Sequence, residues 1–445
     1  MKHLKIPSLL IVLAITLAGT ACDNNSAGPG EGSAAVEGQV QDENTQNKAK
    51  YSSPTTAAAV EGATVTAARI SSDGSLETIS GAETETNAEG EFTLNINAEA
   101  VANSGQQVII MAEKSGQQWK TFITGELESG STVQVQPLTV ESSGEADVYS
   151  KIVAEGNAEM VSKADIEAYI GAKASSAIQS NSQAAATYAE ALAAEAEARA
   201  EFFASQSAEI TGDQKQQIME TKTQAQLQLE SELNAATSAE DEQAAMEAFT
   251  KTVVKAHADA GVDAELYAKA KEMSNRVFVK HSSEVSAEAE SEARTTAALF
   301  TSYAIDAAVQ ARMEAQGATE SNIQAAADAA VTLRSDIKAM TGATKEDIDA
   351  AFETYNEAVV NALSQEFSAN AQTMTEINAR INEDNGAKAE LESSLEATLS
   401  LQIFVDAYTT FYSEVKTIVD ESFTTANDAE AEFVADIMVL ANLGN

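Results

Sequence analysis

The sequence predicts a multidomain α+β protein, with an N-terminal β-sandwich followed by a large, elongated all-α helical bundle. Three observations predict it. Between residues 36 and 140, short β-favouring runs are bounded by Gly, Asn, Asp and Ser. From about residue 150 to residue 445 the chain turns to Ala, Glu, Gln, Ser and Lys with almost no Pro, which is helical composition. Within that second part, apolar residues recur in steps of three and four. At 445 residues the chain has room for two or three cores.

Residues 1–21 read as a targeting signal, set aside from the fold. Lys2 and Lys5 give a short positive region, and Leu9 to Leu17 form an apolar run too short for a permanent membrane span. Small residues follow, Ala18-Gly19-Thr20-Ala21, and then Cys22, the only cysteine, which therefore has no intrachain disulfide partner. The segment resembles the bacterial lipoprotein signal, although Gly19 stands where that family prefers Leu. The resemblance implies that Cys22 is thioether-linked to diacylglycerol and becomes an acylated N-terminus. It therefore implies an exported protein of the cell envelope, lipid-anchored to a bacterial membrane, with outer and inner membrane left open. Two or three acyl chains give stable anchoring.

Without residues 1–21, which carry Lys2 and Lys5 and no acid, the 27 basic residues fall to 25 against 69 acidic ones, and the formal charge moves from −42 to −44. Such a surface repels nucleic-acid phosphate, so nucleic acid is excluded as a partner. The lipid anchor would hold the protein at its membrane. Residues 22–35 are small and polar, a flexible tether.

Strands are expected at Val36 to Val40, Ala63 to Ile70, Phe92 to Ile96, Val108 to Ala112, Trp119 to Thr124 and Thr132 to Val135, with a polar insertion at 41–59. Val36-Glu37-Gly38-Gln39-Val40, Val60-Glu61-Gly62-Ala63-Thr64-Val65 and Thr86-Asn87-Ala88-Glu89-Gly90-Glu91-Phe92 together resemble the carboxypeptidase regulatory-like domain. That resemblance implies an immunoglobulin- or transthyretin-like sandwich with an accessory role. Gly90 would supply a positive φ in a tight hairpin, Asn87 would close the turn through its side chain, and Phe92 would point into the core.

Six to eight helices are expected beyond. Ser162 with Asp165, Ser238 with Asp241 and Thr344 with Asp347 have capping-box spacing, and Thr211, Asp263 and Thr319 read as further caps. Gly261, Gly317, Gly342 and Gly386 mark stops. The segment Asp263 to Gln316 would approach ~80 Å if unbroken, with Ser282-Ser283 as the candidate interruption. Leu401, Phe404, Tyr408, Phe411, Val415 and Ile418 form one apolar stripe, and Leu266, Ala270, Met273 and Val277 another. Intramolecular packing is their expected use, with an Ala seam at Ala289, Ala293 and Ala297.

No catalytic constellation is evident. Glu85 to Gly90 has the oxygen spacing of a calcium loop, but Ile96 occupies the position of the bidentate Glu. His257 and His281 have Val254 and Phe278 three residues upstream, not the Glu of a di-iron bundle. Glu284, Glu288 and Glu292 share a helix face, expected to be solvated. Trp119, the only tryptophan, is the one candidate ligand-binding residue. The chain is thus expected to be a non-enzymatic envelope lipoprotein with no metal or cofactor. Its role would be structural or protein-interacting, with an envelope protein as partner. A carbohydrate-binding module acting on a glycan through the sandwich is the alternative.

Overall fold

The computed structural model describes residues 32–42, 58–98, 107–123, 127–206, 210–236, 239–340, 342–366, 371–396, 401–423 and 428–444. Among these, nine strands precede fourteen helices. The strands are β1 (Ser33–Gln39), β2 (Gln41–Asp42), β3 (Ala58–Ala59), β4 (Thr64–Ile70), β5 (Leu76–Glu85), β6 (Glu91–Asn97), β7 (Val108–Lys114), β8 (Gln117–Ile123) and β9 (Thr132–Gln134).

They form a three-stranded sheet in the order β6-β1-β9, a four-stranded sheet in the order β5-β4-β7-β8, and the short pair β2-β3. All pairs are antiparallel except β1 with β9. Val36 and Leu94 from the first sheet share one buried core with Val65, Ile110, Ala112 and Trp119 from the second. Register follows the alternation of apolar residues: Val36 faces Leu94, and Ala112 faces Trp119.

The turn between β5 and β6 closes as its residues require, but it makes no hairpin: β5 belongs to the four-stranded sheet and β6 to the three-stranded one, so the turn carries the chain from one sheet to the other. Asn87 Oδ1 accepts from the Glu89 and Glu91 N–H groups at 3.0 and 2.8 Å. Gly90 has φ +76°, and a Cβ there would lie 2.6 Å from the Val40 carbonyl oxygen. Phe92 is buried. Two expectations change here. β1 begins at Ser33, so the end of the 22–35 tether pairs with β6 and buries Ala34 and Ala35. β5 was not expected, because only Ile79 and Ala82 are buried along Leu76–Glu85 and the apolar alternation is too sparse to read. The insertion 41–59 lies mostly outside the described residues, apart from β2 and β3.

The helices are α1 (Val140–Ala154), α2 (Lys163–Tyr169), α3 (Ala172–Ser180), α4 (Ser182–Gln206), α5 (Gly212–Ala235), α6 (Ala239–Asp259), α7 (Glu265–Ser282), α8 (Ala287–Gln316), α9 (Glu320–Ala339), α10 (Lys345–Glu366), α11 (Ala371–Ile381), α12 (Ala387–Glu396), α13 (Leu401–Ser422) and α14 (Asp428–Ala441). They are more numerous and shorter than expected. The chain breaks between α2 and α3 at two extended residues, Ile170 and Gly171, and between α3 and α4 at one, Asn181, none of them carrying a Pro signal.

α1 starts ten residues before the expected boundary, capped reciprocally by Thr139 and Ser142. It lies on the outer face of the four-stranded sheet. Tyr149 stacks on Phe122 with ring centroids 4.5 Å apart, and Lys120 Nζ pairs with Asp147 at 2.7 Å. Ile70, Ile109 and Phe122 belong to the helical core. β4, β7 and β8 are therefore covered on both faces while the edge strand β5 stays largely exposed, and no linker separates strands from helices.

The break foreseen at Ser282-Ser283 ends α7, so two helices replace the single ~80 Å one. α8 is the central element, touching α2, α3, α6, α7, α9, α10 and α14. Its Ala seam is buried at Ala289, Ala293 and Ala297; small side chains let so many neighbours approach. The α7 stripe is buried throughout, as are Phe404, Tyr408, Phe411 and Val415, while Ile418 is partly buried and the Leu401 side chain lies outside the described residues.

The capping boxes at Ser162–Asp165 and Thr344–Asp347 form, and Thr211 pairs with Gln214. Ser238 lies outside the described residues. Neither Asp263 nor Thr319 caps through its side chain; Thr319 instead donates from N and Oγ1 to Glu366. Gly386 immediately precedes α12 and ends no helix there. No helix among the described residues is long and apolar enough to cross a membrane.

Candidate functional site

α7 carries a second stripe beside its apolar one: Tyr267, Lys271, Ser274 and Phe278, all buried. A lysine on such a stripe needs partners, and α4 supplies them. Glu195 and Arg199, one turn apart on α4, pair at 2.9 Å, and Lys271 Nζ reaches Glu195 Oε1 at 3.2 Å. Arg199 also lies 3.5 Å from Asp165, the residue that caps α2 through Ser162. Lys271 Nζ donates to the Tyr169 hydroxyl at 2.6 Å, and Tyr169 in turn donates to Asn275 Oδ1.

These groups border a cavity of ≈ 440 Å³ lined by the loop before α2 and by α1, α2 and α4 to α8, a size typical of small-molecule sites. Asp165, Tyr169, Arg199, Lys222, Tyr267 and Lys271 form its polar part. Leu229, Met246, Phe249 and Phe300 form its apolar part.

The electrostatics are uneven. Burial opposes the charge on Asp165, but Arg199, Lys271 and the Ser162 hydrogen bonds outweigh it and hold the carboxyl at about 2. Burial pushes the Lys271 ammonium below its ordinary value; Glu195 opposes that shift and Arg199 adds to it. Lys222 is shifted the same way, by burial and then by Arg199. Burial raises the Tyr267 hydroxyl to about 12. Among the described residues the lining holds no His or Cys, and its one serine, Ser162, is engaged in the α2 cap. The arrangement can hold charge and donate hydrogen bonds.

A second cavity, ≈ 320 Å³, lies beyond Asn275. Asn275 donates to Thr301 Oγ1 at 2.7 Å, which donates to Glu272 at 3.1 Å. In its lining, Arg276, Lys280, Arg294 and Lys345 face Glu272, Glu290, Asp349 and Glu392, so its charges balance.

Cys22 lies outside the described residues. Trp119, the candidate ligand-binding residue, is 3 % exposed, packed between the sheets, and on the opposite face of β8 from Phe122. Glu284 and Glu288 are exposed, but Glu292 is not part of a solvated face. Its buried carboxylate accepts from the Lys173 and Ala174 N–H groups at 3.3 and 2.9 Å and so caps α3. Gly171 permits this approach, since a Cβ there would lie 2.7 Å from the Glu292 carboxyl carbon.

His257 is buried between the Phe203 and Tyr267 rings with Nδ1 2.8 Å from the Val253 carbonyl oxygen, and His281 is half-buried. Among the described residues no three His, Cys, Asp or Glu side chains gather as a metal site would need. The Asn87 carboxamide oxygen is occupied by its own turn.

Of the cavity residues only Ser162 and Asp165 were singled out in the sequence, and those as a helix cap. The one signal for the rest is the rarity of cations, with Lys271 on the stripe that begins at Tyr267 and ends at Phe278. No protein-family model, curated protein or solved structure matches the chain.

Proposed function

We propose that this chain is a non-catalytic, lipid-anchored protein of the bacterial cell envelope whose helical body binds a ligand. One observation carries the ligand reading: a ≈ 440 Å³ cavity into which charged and tyrosine side chains converge from several helices. The envelope reading rests on Lys2, Lys5, the apolar run and Gly19-Thr20-Ala21-Cys22. Two sheets sharing one core, joined by the Asn87–Gly90 turn, support a transthyretin-like sandwich as the part nearest the membrane. The carbohydrate-binding alternative loses its residue, because Trp119 is buried.

Thermal-shift screening of the detergent-solubilised chain against a chemically varied small-molecule set tests the ligand reading. At least one compound should raise the melting midpoint of the wild type and leave Thr250→Trp, which fills the cavity, unchanged. Equal responses of the two proteins to every compound would reject it. For the anchor, Cys22→Ser should abolish incorporation of labelled palmitate; continued labelling would refute it.

A further inference from the structure

Resting on the reading of this cavity as a ligand site, we infer that its ligand is a small organic anion, a single carboxylate or phosphate group on an apolar body.

The charge balance comes first. Arg199, Lys222 and Lys271 line the cavity, while only Asp165 and Glu195 oppose them from the interior. Lys163, also in the lining, is matched by Glu167 at 3.3 Å. The remaining acid of the lining, Glu159, is exposed, so water already stabilises its charge. Counted over its lining, the cavity has four cations, Lys163, Arg199, Lys222 and Lys271, against two acids, Asp165 and Glu159. In a chain of formal charge −42, with 69 acids available, a buried site where cations outnumber acids is against the composition. The second cavity, balanced four against four, is the contrast.

Two side chains have donors to spare. Lys222 Nζ has no ion pair or hydrogen bond among the described residues, although it faces the cavity. The Tyr267 hydroxyl likewise has no partner among them, and Tyr267 is only 5 % exposed. An anion between them would accept from both, and charge-assisted bonds of this kind are the strong ones. Neither donor atom is sealed from solvent, so the anion would take the place of water at them. A cationic ligand would add to the surplus, and a neutral one would leave it uncompensated in a poorly solvated site.

The apolar part sets the rest of the ligand. Leu229, Met246, Phe249 and Phe300 offer nothing to an inorganic ion, and their burial against a hydrocarbon or aromatic body is favourable.

Calorimetric titration of the detergent-solubilised full-length chain at neutral pH tests this with five probes: phenylacetate, phenyl phosphate, uncharged phenylacetamide, cationic phenethylamine and inorganic phosphate. The two organic anions should bind, each roughly tenfold or more tighter than the other three. Lys222→Met, which breaks no ion pair, should weaken them by about the same factor, and Tyr267→Phe by several-fold. Thr250→Trp should abolish binding. The circular dichroism of each variant reports its folding, and Tyr267→Phe, losing one hydroxyl, serves if Lys222→Met does not fold.

Amide or amine binding as tightly as the anions, lost in Thr250→Trp, overturns the anion inference and leaves the cavity a ligand site. Inorganic phosphate matching the organic anions overturns the apolar body. No probe binding, or binding that Thr250→Trp does not change, overturns the ligand site and the inference together.

Discussion

Glu167 sits almost wholly buried at 5 % exposure, 3.3 Å from Lys163 and facing the like charges of Glu145 and Glu242. Burial raises its carboxyl from the ordinary 4.5 to about 7, with Lys163 opposing and the two glutamates reinforcing. A raised folded value means the native state holds the proton more tightly than the unfolded chain. The stability from Glu167 is then complete below 4.5 and is lost as pH rises through about 7. Glu265, raised by burial to about 7 with Asp436 and Asp263 nearby, acts in the same direction. Glu167→Gln should therefore stabilise the protein at about pH 8 by roughly 1–3 kcal/mol and have little effect near pH 5. Chemical denaturation at the two pH values decides it; a variant less stable at pH 8 sinks the argument.

Lys222 and Lys271 behave oppositely. Burial lowers both, so they give up protons more readily than a free lysine, while Arg199, Asp165, Glu195, Tyr169 and Tyr267 stand around them. An anion favours their charged forms, so binding takes up protons and affinity should fall as pH rises above neutral. Affinity that climbs between about pH 7 and pH 9 would contradict this.

At the scale of elements, the legible features were those written in consecutive residues. The Asn87–Gly90 turn, the break after Ser282 and the Ser162–Asp165 cap each occupy a few positions, and local chemistry decides them. β5 was hidden because one exposed edge strand needs few apolar residues. The start of α1 at Val140 was hidden because Val140-Glu141-Ser142-Ser143-Gly144 reads as a turn until Thr139 caps it. The cavity was the least legible: Arg199, Lys222 and Lys271 come from three helices, and no local pattern orders helices around a point.

Strands and helices are joined through Phe122 and Tyr149. Phe122 is fully buried on the helix-facing side of β8, stacked on Tyr149. Phe122→Ala should cost about 3–5 kcal/mol. It should lower the melting of the sheet and of the helices together, followed separately by near-ultraviolet Trp119 ellipticity and far-ultraviolet helical ellipticity. Two transitions, of which only one moves, would show independent units.

At the scale of the whole molecule, acids outnumber bases 69 to 27, so most surface carboxylates have no cation to meet. Like charges one helical turn apart cost about 0.2–0.5 kcal/mol per pair. Screening shortens their reach from about 10 Å at 0.1 M salt to about 3 Å at 1 M. The melting midpoint should rise between about 0.05 M and 1 M sodium chloride. A flat midpoint would mean the unfolded chain repels itself equally.

That acidic exterior around a cation-rich cavity has a kinetic consequence. A negatively charged solute diffusing toward a body of formal charge −42 climbs a repulsive potential before any cation can attract it. The barrier grows with the solute's valence, so the exterior admits singly charged molecules and turns back polyphosphates. Added electrolyte collapses the barrier, and the encounter should speed up with ionic strength, the reverse of electrostatically steered association. Stopped-flow mixing with a fluorescent monoanion should show a bimolecular rate constant that increases from about 0.02 M to about 0.5 M salt; a decrease would mean that the field of the cavity reaches out past its own surface.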